Sequence, residues 1–281
     1  MEKKIVSVIE LLDTKTGQTE EILRTDGRIE APFFLRDEEM LYNGGGLIYR
    51  YSLKDRRIAQ VKTDFCTRCN NDHVLSPCGK YLAVSHDSAE DGASRIYILP
   101  LDGSAPPRQV TPLPFSYLHG WSPDGSTLSY CASRDGEFDV YVIPVEGGEE
   151  KRLTFTEGLD DGPEYSPDGK RIYFCSVRAG HMDCYFMDAD GENVCRLTDN
   201  GRNNWFPHIS PDGKTVAYLS YGDEIAPGDH PADKWVELRL MDADGKNDRL
   251  AVRLFGGQGT ININSWMSDS RHLAFVRYEI L

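Results

Sequence analysis

One tetrapeptide constrains this chain more than any other feature. Ser-Pro-Asp-Gly occurs at Ser122–Gly125, Ser166–Gly169 and Ser210–Gly213, with the variant Ser76-Pro77-Cys78-Gly79 one unit upstream. Successive marker serines lie 46, 44 and 44 residues apart, and a fixed period of that size signals a repeat architecture. After each marker comes an alternating apolar run: YLAVS at 81–85, TLSYCAS at 127–133, RIYFCS at 171–176 and TVAYLS at 215–220. Alternation rich in Tyr, Val, Ile and Phe predicts strands, and P-D-G predicts the tight turn that joins each to the strand before it. A third run follows at constant offset, as in RIYILPLDG (95–103) and DCYFMDADG (183–191), and a short fourth in KRLTF (151–155) and CRLT (195–198). Each unit is thus a four-stranded antiparallel meander, the size of one propeller blade.

The two ends supply the remaining blades. Residues 30–65 form a degenerate unit with Leu35-Arg36-Asp37-Glu38 at the marker and LIYRYSL (47–53) as its third strand. Residues 262–281 carry only the first two strands of a unit, and the missing third and fourth stand at the other end as VSVIELLDTKTGQTEEIL (6–23). The expectation is an all-β, six-bladed β-propeller over 1–281, a single domain whose last blade is split between 1–28 and 262–281 and so leaves no free edge.

Charge and composition narrow the partners. The net charge is −14 and no Lys/Arg run exceeds a pair, so a polyanion meets repulsion and nucleic acid is not an expected partner. The N-terminal run is interrupted by Glu10 and Asp13, and no apolar stretch approaches membrane-spanning length. Seven cysteines, an odd number, suit a reducing compartment, and a cytoplasmic chain is the expectation. Cys131 and Cys175 recur nine residues after their markers and read as core-packing residues. Cys66-Thr-Arg-Cys69 with Cys78 offers half of a zinc ligand set without the second pair.

The S-P-D-G units resemble the repeats of TolB-like propellers, which are similar to those of prolyl oligopeptidase-like and dipeptidyl peptidase-like proteins. The resemblance covers nearly the whole chain and implies the fold, because the motif is a turn and brings no chemistry with it. TolB carries a signal peptide and an N-terminal α/β domain, neither recognisable here, which argues against a periplasmic role. No G-x-S-x-G occurs, so serine peptidase chemistry is not expected.

If first strands line the channel and end at the marker turn, their starts ring the opposite mouth. The residues five or six before each marker are Glu30, Asn70 and Asn71, Ser116 and Tyr117, Asp160 and Asp161, Asn204 and Trp205, and Asn262. Every blade contributes a polar or aromatic group. The step from Ser210 to Ser268 is 58 residues, and much of the excess, 221–235, falls between second and third strands, where it overhangs the same mouth and brings His230. The first reading is a binding module for a peptide, a protein segment or a small polar ligand at Glu30, Asn71, Tyr117, His119, Asp160, Asp161, Asn204, Trp205, Asn262 and His230, with no cofactor. An acidic mouth favours a basic or neutral ligand.

The alternative is enzymatic. His73, His119 and His208 lie two or three residues before their markers on channel strands, and converging imidazoles could hold a divalent metal. Oligogalacturonate lyases are propellers with related repeats and a channel metal held mainly by histidines, so this resemblance implies a carbohydrate lyase or hydrolase. Finally, Arg134 with Asp139 and Arg178 with Asp183 repeat one spacing, which predicts a guanidinium–carboxylate bridge that fixes each loop.

Overall fold

The computed structural model describes residues 4–281, and its six sheets are the six blades. Blade 1 comprises Glu30–Arg36, Glu39–Gly44, Leu47–Ser52 and Arg57–Gln60, and blade 2 Cys69–Leu75, Tyr81–Asp87, Ser94–Pro100 and Arg108–Gln109. Blade 3 comprises Ser116–Trp121, Thr127–Arg134, Glu137–Pro144 and Lys151–Arg152, and blade 4 Asp160–Tyr165, Arg171–Ser176, Asp183–Asp188 and Cys195–Arg196. Blade 5, with the longest strands, comprises Asn203–Ile209, Thr215–Tyr221, Ala232–Asp242 and Arg249–Gly257. Blade 6 closes the ring: Ile5–Asp13 lies between Thr19–Asp26 and His272–Ile280. Its register with the C-terminal strand runs unbroken from Ile5↔Ile280 to Asp13↔His272. The innermost strand of this blade is reduced to one bridge, Trp266↔Leu273.

The marker turns explain their own sequence. In blade 3 the Ser122 hydroxyl donates to Asp124 Oδ1 at 2.6 Å and accepts from the Thr127 N–H at 2.9 Å, while Gly125 N–H donates to Ser122 O. Ser166 with Asp168 and Ser210 with Asp212 repeat the pattern at 2.7 Å. Gly79, Gly125, Gly169 and Gly213 all sit at φ between 71° and 74°, where a side chain is strained. In blade 2 Cys78 stands in for the aspartate, with its sulfur 3.3 Å from Ser76 Oγ. The two degenerate markers instead bond to each other, Ser268 Oγ donating to Asp37 at 2.7 Å.

The core sits between the blades. One apolar cluster joins blades 2 and 3 through Ile96, Ile98, Leu118 and Tyr130, and another joins blades 6 and 1 through Ile9, Met40, Tyr42 and Val276. Cys131 and Cys175 are buried in this material, and burial pushes both thiols well above their ordinary value. Cys66 and Cys69 are buried, and burial pushes the Cys66 thiol up to about 12. Cys78 is exposed.

The predicted Arg–Asp bridges take different partners. Asp139 and Asp183 are fully buried and pair with Arg152 at 2.6 Å and Arg196 at 2.7 Å, while Thr154 and Thr198 donate to them. Arg134 binds Glu150, and Arg178 binds Asp160 at 3.1 Å. The reason is register. Asp139 stands opposite Ala132 and Arg134 opposite Glu137, so the guanidinium lies two residues farther toward the turn than the carboxylate it was expected to meet. The Arg-Leu-Thr of the fourth strand supplies the true partners in both blades: the same Thr also accepts a backbone N–H, from Val140 in blade 3 and Cys184 in blade 4.

Asp183→Ala strands the Thr198, Arg196 and Asn204 groups gathered around it and is expected to cost roughly 3 kcal/mol in urea unfolding. Removing the exposed Glu146, 3.7 Å from Arg108, shifts stability by no more than about 0.5 kcal/mol. Val8→Pro deletes a ladder donor in the middle strand of the closing blade, where Val8 opposes both Arg24 and Arg277. The ring is then expected to open, read as lost near-UV circular dichroism and early elution from a sizing column; a native spectrum would refute the closure argument.

Candidate functional site

A cavity of about 920 Å³ opens where the first strands of the blades begin. Of the residues five or six before each marker, Glu30, Asn70, Asn71, Tyr117, Asp161 and Asn262 line it. The others do not. Asp160 is 1 % exposed and held by Arg178, and Asn204 is fully buried among Asn200, Thr198 and Ser220. Trp205 is fully buried in the core beside Phe206, and Phe206 is the ring that reaches the cavity.

Three of the first strands share a bulge at this level. The ladder of the first strand breaks between Trp205 and His208, between Asp161 and Glu164, and between Glu30 and Phe33. Inside each break, four residues before the marker, stands a residue in the left-handed region: Phe206 at φ 55°, Gly162 at 67° and Ala31 at 53°. The same break leaves Glu30 and Asp161 in the cavity, whereas in blade 5 Trp205 is taken into the core against His230 and Phe206 lines the cavity in its place. The sequence carries the signal. Pro32, Pro163 and Pro207 follow these three positions, and a proline inside a strand that should donate to the ladder marks a bulge.

The cavity walls differ chemically. Blades 1 and 2 supply Glu30, Asn43, Asn70, Asn71 and Asp72; blades 3 to 5 supply Tyr117, Phe138, Leu159 and Phe206. Between them His119 Nε2 stands 3.0 Å from Asp161 Oδ1. Burial alone would lower the His119 pKa, but the Asp161 carboxylate outweighs it and raises it. Burial opposes ionisation of Asp161 too, and His119 with the Gly162 N–H overcomes it and holds the carboxyl low. The two form a buried ion pair. Asp72 lies in the field of the same His119, but burial outweighs it and pushes the carboxyl up to about 6; burial also raises Glu30, against the opposing field of Arg28.

The long connection between the second and third strands of blade 5 closes one side. Its loop spans only 222–231, because Tyr221 ends one strand and Ala232 begins the next, so the 232–235 part of the insertion lengthens the hairpin. Asn203 Nδ2 donates to Ile225 O at 2.6 Å, and Tyr221 donates to Pro231 O at 3.1 Å. His230 stacks on Trp205 with ring centroids 4.1 Å apart and reaches the cavity, and burial lowers its pKa, which favours the neutral ring. Arg28 ties blade 1's entry to the end of this loop through Asp233 at 2.7 Å.

The three channel histidines are not gathered into a metal site. His73 is fully buried, both ring nitrogens lack a partner, and burial drives its pKa down to about 3. His119 is committed to Asp161. His208 uses both nitrogens, Nδ1 on Glu164 at 2.6 Å and Nε2 on Ile261 O. Among the described residues no three His, Cys, Asp or Glu side chains converge as ligands. Sequence reasoning also missed Glu164 and Asn264 as the partners that hold His208, with Asn264 Nδ2 on Glu164 Oε1 at 2.5 Å.

Comparison with known proteins agrees with the architecture. The PD40 family, TolB beta propeller domain, matches residues 114–229. The "Uncharacterized protein Atu1656" of Agrobacterium fabrum is 45 % identical over 274 residues, 97 % of this chain and 92 % of that protein. A solved structure from Agrobacterium tumefaciens, described as a candidate TolB, superposes with a TM-score of 0.94 at 43 % identity over 99 % of both chains. TolB from Acinetobacter baumannii shares the fold, with a TM-score of 0.71 at 21 % identity over 91 % of this chain and 65 % of that one. A six-bladed propeller with S-P-D-G turns in three blades, closed by its own N-terminal strands and 45 % identical to a relative along nearly its full length, belongs to the TolB-like β-propeller family.

Proposed function

We propose that this propeller is a binding module that takes a peptide, a protein segment or a small polar ligand into the cavity at its channel mouth. The carrying observation is the cavity itself: about 920 Å³, with convergent polar groups on one side and aromatic rings on the other. That volume lies in the range of ligand sites, and mixed walls suit a ligand that must be oriented as well as buried. No activated nucleophile stands in it: Cys69 and Cys131 reach the lining, and burial raises both thiols far from a reactive thiolate. Seven free cysteines support a reducing, cytoplasmic setting, and the acidic balance argues against nucleic acid.

The test is a methyl-labelled NMR titration with a mixed library of short peptides. Perturbations are expected to cluster on Leu159 and on methyls beside Tyr117 and Phe206; a cluster on the marker-turn face or on the blade sides sinks the reading. Tyr117 and Phe138 are partly exposed and pack 6.2 Å apart, so Tyr117→Ala is expected to weaken the tightest library member about tenfold, about 1.4 kcal/mol, without unfolding the chain.

A further inference from the structure

We infer that the ligand carries an organic cation, an ammonium or guanidinium, on an apolar body, with the cation against Glu30 and Asp72 and the body against Tyr117, Phe138 and Phe206. This deepens the binding-module reading and rests on it. Some charges in the cavity are already compensated. Asp161 is neutralised by His119, and Arg28 is held by Asp233 while its guanidinium lies 4.3 Å from the centre of the Tyr278 ring. That leaves three lining carboxyls, Glu30, Asp72 and Asp87, of which Glu30 and Asp72 are the two that burial raises. Among the described residues neither Glu30 nor Asp72 has a cationic side chain within 4.0 Å; Asn71 donates to Glu30 at 3.3 Å and Asn70 to Asp72 at 2.8 Å. The Ser85 hydroxyl also serves Asp72, and these few neutral donors leave acceptor capacity on both carboxyls.

Asp72 is only 4 % exposed, and a carboxyl so buried is ordinarily paired. Burial pushes its pKa and that of Glu30 up, the expected mark of carboxyls whose counter-charge has not yet arrived. A bare metal ion is a poor fit, since among the described residues no three His, Cys, Asp or Glu side chains converge as ligands. An anion meets the two acids. An organic cation uses both walls, because carboxylates attract its charge and aromatic faces take both its charge and its hydrocarbon body.

Isothermal titration of the full chain tests this with 2-phenylethylamine, its N-acetyl derivative, and a terminally blocked pentapeptide, Gly-Phe-Lys-Phe-Gly, with its lysine free or acetylated. Each charged probe is expected to bind at least tenfold tighter than its acetylated form, and Glu30→Gln with Asp72→Asn is expected to erase that preference at an unchanged melting temperature. If Asp72→Asn fails to fold, Glu30→Gln alone is expected to reduce the preference at least threefold. Tighter binding of the peptide assigns the cation to a protein side chain, and tighter binding of the free amine assigns it to a small molecule. Equal binding of charged and acetylated probes, or a preference that survives both substitutions, overturns the inference. In that case perturbation of the mouth by the peptide library leaves the binding-module reading standing, and an unperturbed mouth removes both.

Discussion

The antiparallel pairing of Ile5–Asp13 with His272–Ile280 is the contact on which the rest depends. Blades 1 to 5 are hairpin-linked and local in sequence, so each could form its sheet alone, but the channel exists only once the ring is shut. The pairing joins residues about as far apart as the chain allows, and its loop-closure entropy must be met before any channel contact forms. Nine consecutive register pairs and the Asp13–Arg271 ion pair at 2.6 Å offset that cost. The cavity inherits its geometry from closure, since Glu30 in blade 1 and Asn262 at the entry to blade 6 meet across the seam.

Within each blade, polar side chains divide into those that build the sheet and those that are left over. The marker Ser and Asp bond within their own turn, and the buried Asp139 and Asp183 bond with Arg and Thr of their own fourth strands. These groups recur because each blade must solve the same local problem of holding a hairpin and its outermost strand. Recurrence is therefore a mark of structure here. The cavity is built where the repeat fails to repeat: Tyr117, Asp161, Asn71 and Glu30 occupy one position in four blades with four different side chains.

The fold was legible because its signals are local and periodic. S-P-D-G fixes a turn and the alternation after it fixes a strand, so the blade count and the split blade could be read from spacing. The site was legible only in part. Glu30, Asn71, Tyr117, His119, Asp161, Asn262 and His230 do line one cavity, but Asp160, Asn204 and Trp205 turn away from it. Asp160 turns away because adjacent strand residues face opposite sides and its neighbour Asp161 faces the cavity, and Trp205 is taken into the core against His230, a contact from the blade-5 loop that spacing does not show. The misassigned Arg134 and Arg178 have another cause: a spacing of five residues across a hairpin says little until the register of the turn is known. His208 failed as a metal ligand for a reason outside the sequence, because its partners Glu164 and Ile261 O come from other blades.

The two faces of the ring also differ in a way that bears on which of them meets a ligand. On the marker-turn face the aspartates are exposed and saturated: Asp124 accepts from Ser122 and Ser126, which hold its carboxyl down to about 2, and Asp168 and Asp212 are lowered by Ser166 and Ser210 in turn. At the mouth the shifts run the other way, with Asp72 and Glu30 raised by burial that outweighs the fields of His119 and Arg28. A lowered carboxylate is already stabilised by its neighbours and gains little from a further cation; a raised one gains most. The same acidic composition thus produces lowered carboxylates on one face and raised ones at the other, and what separates them is burial, not charge.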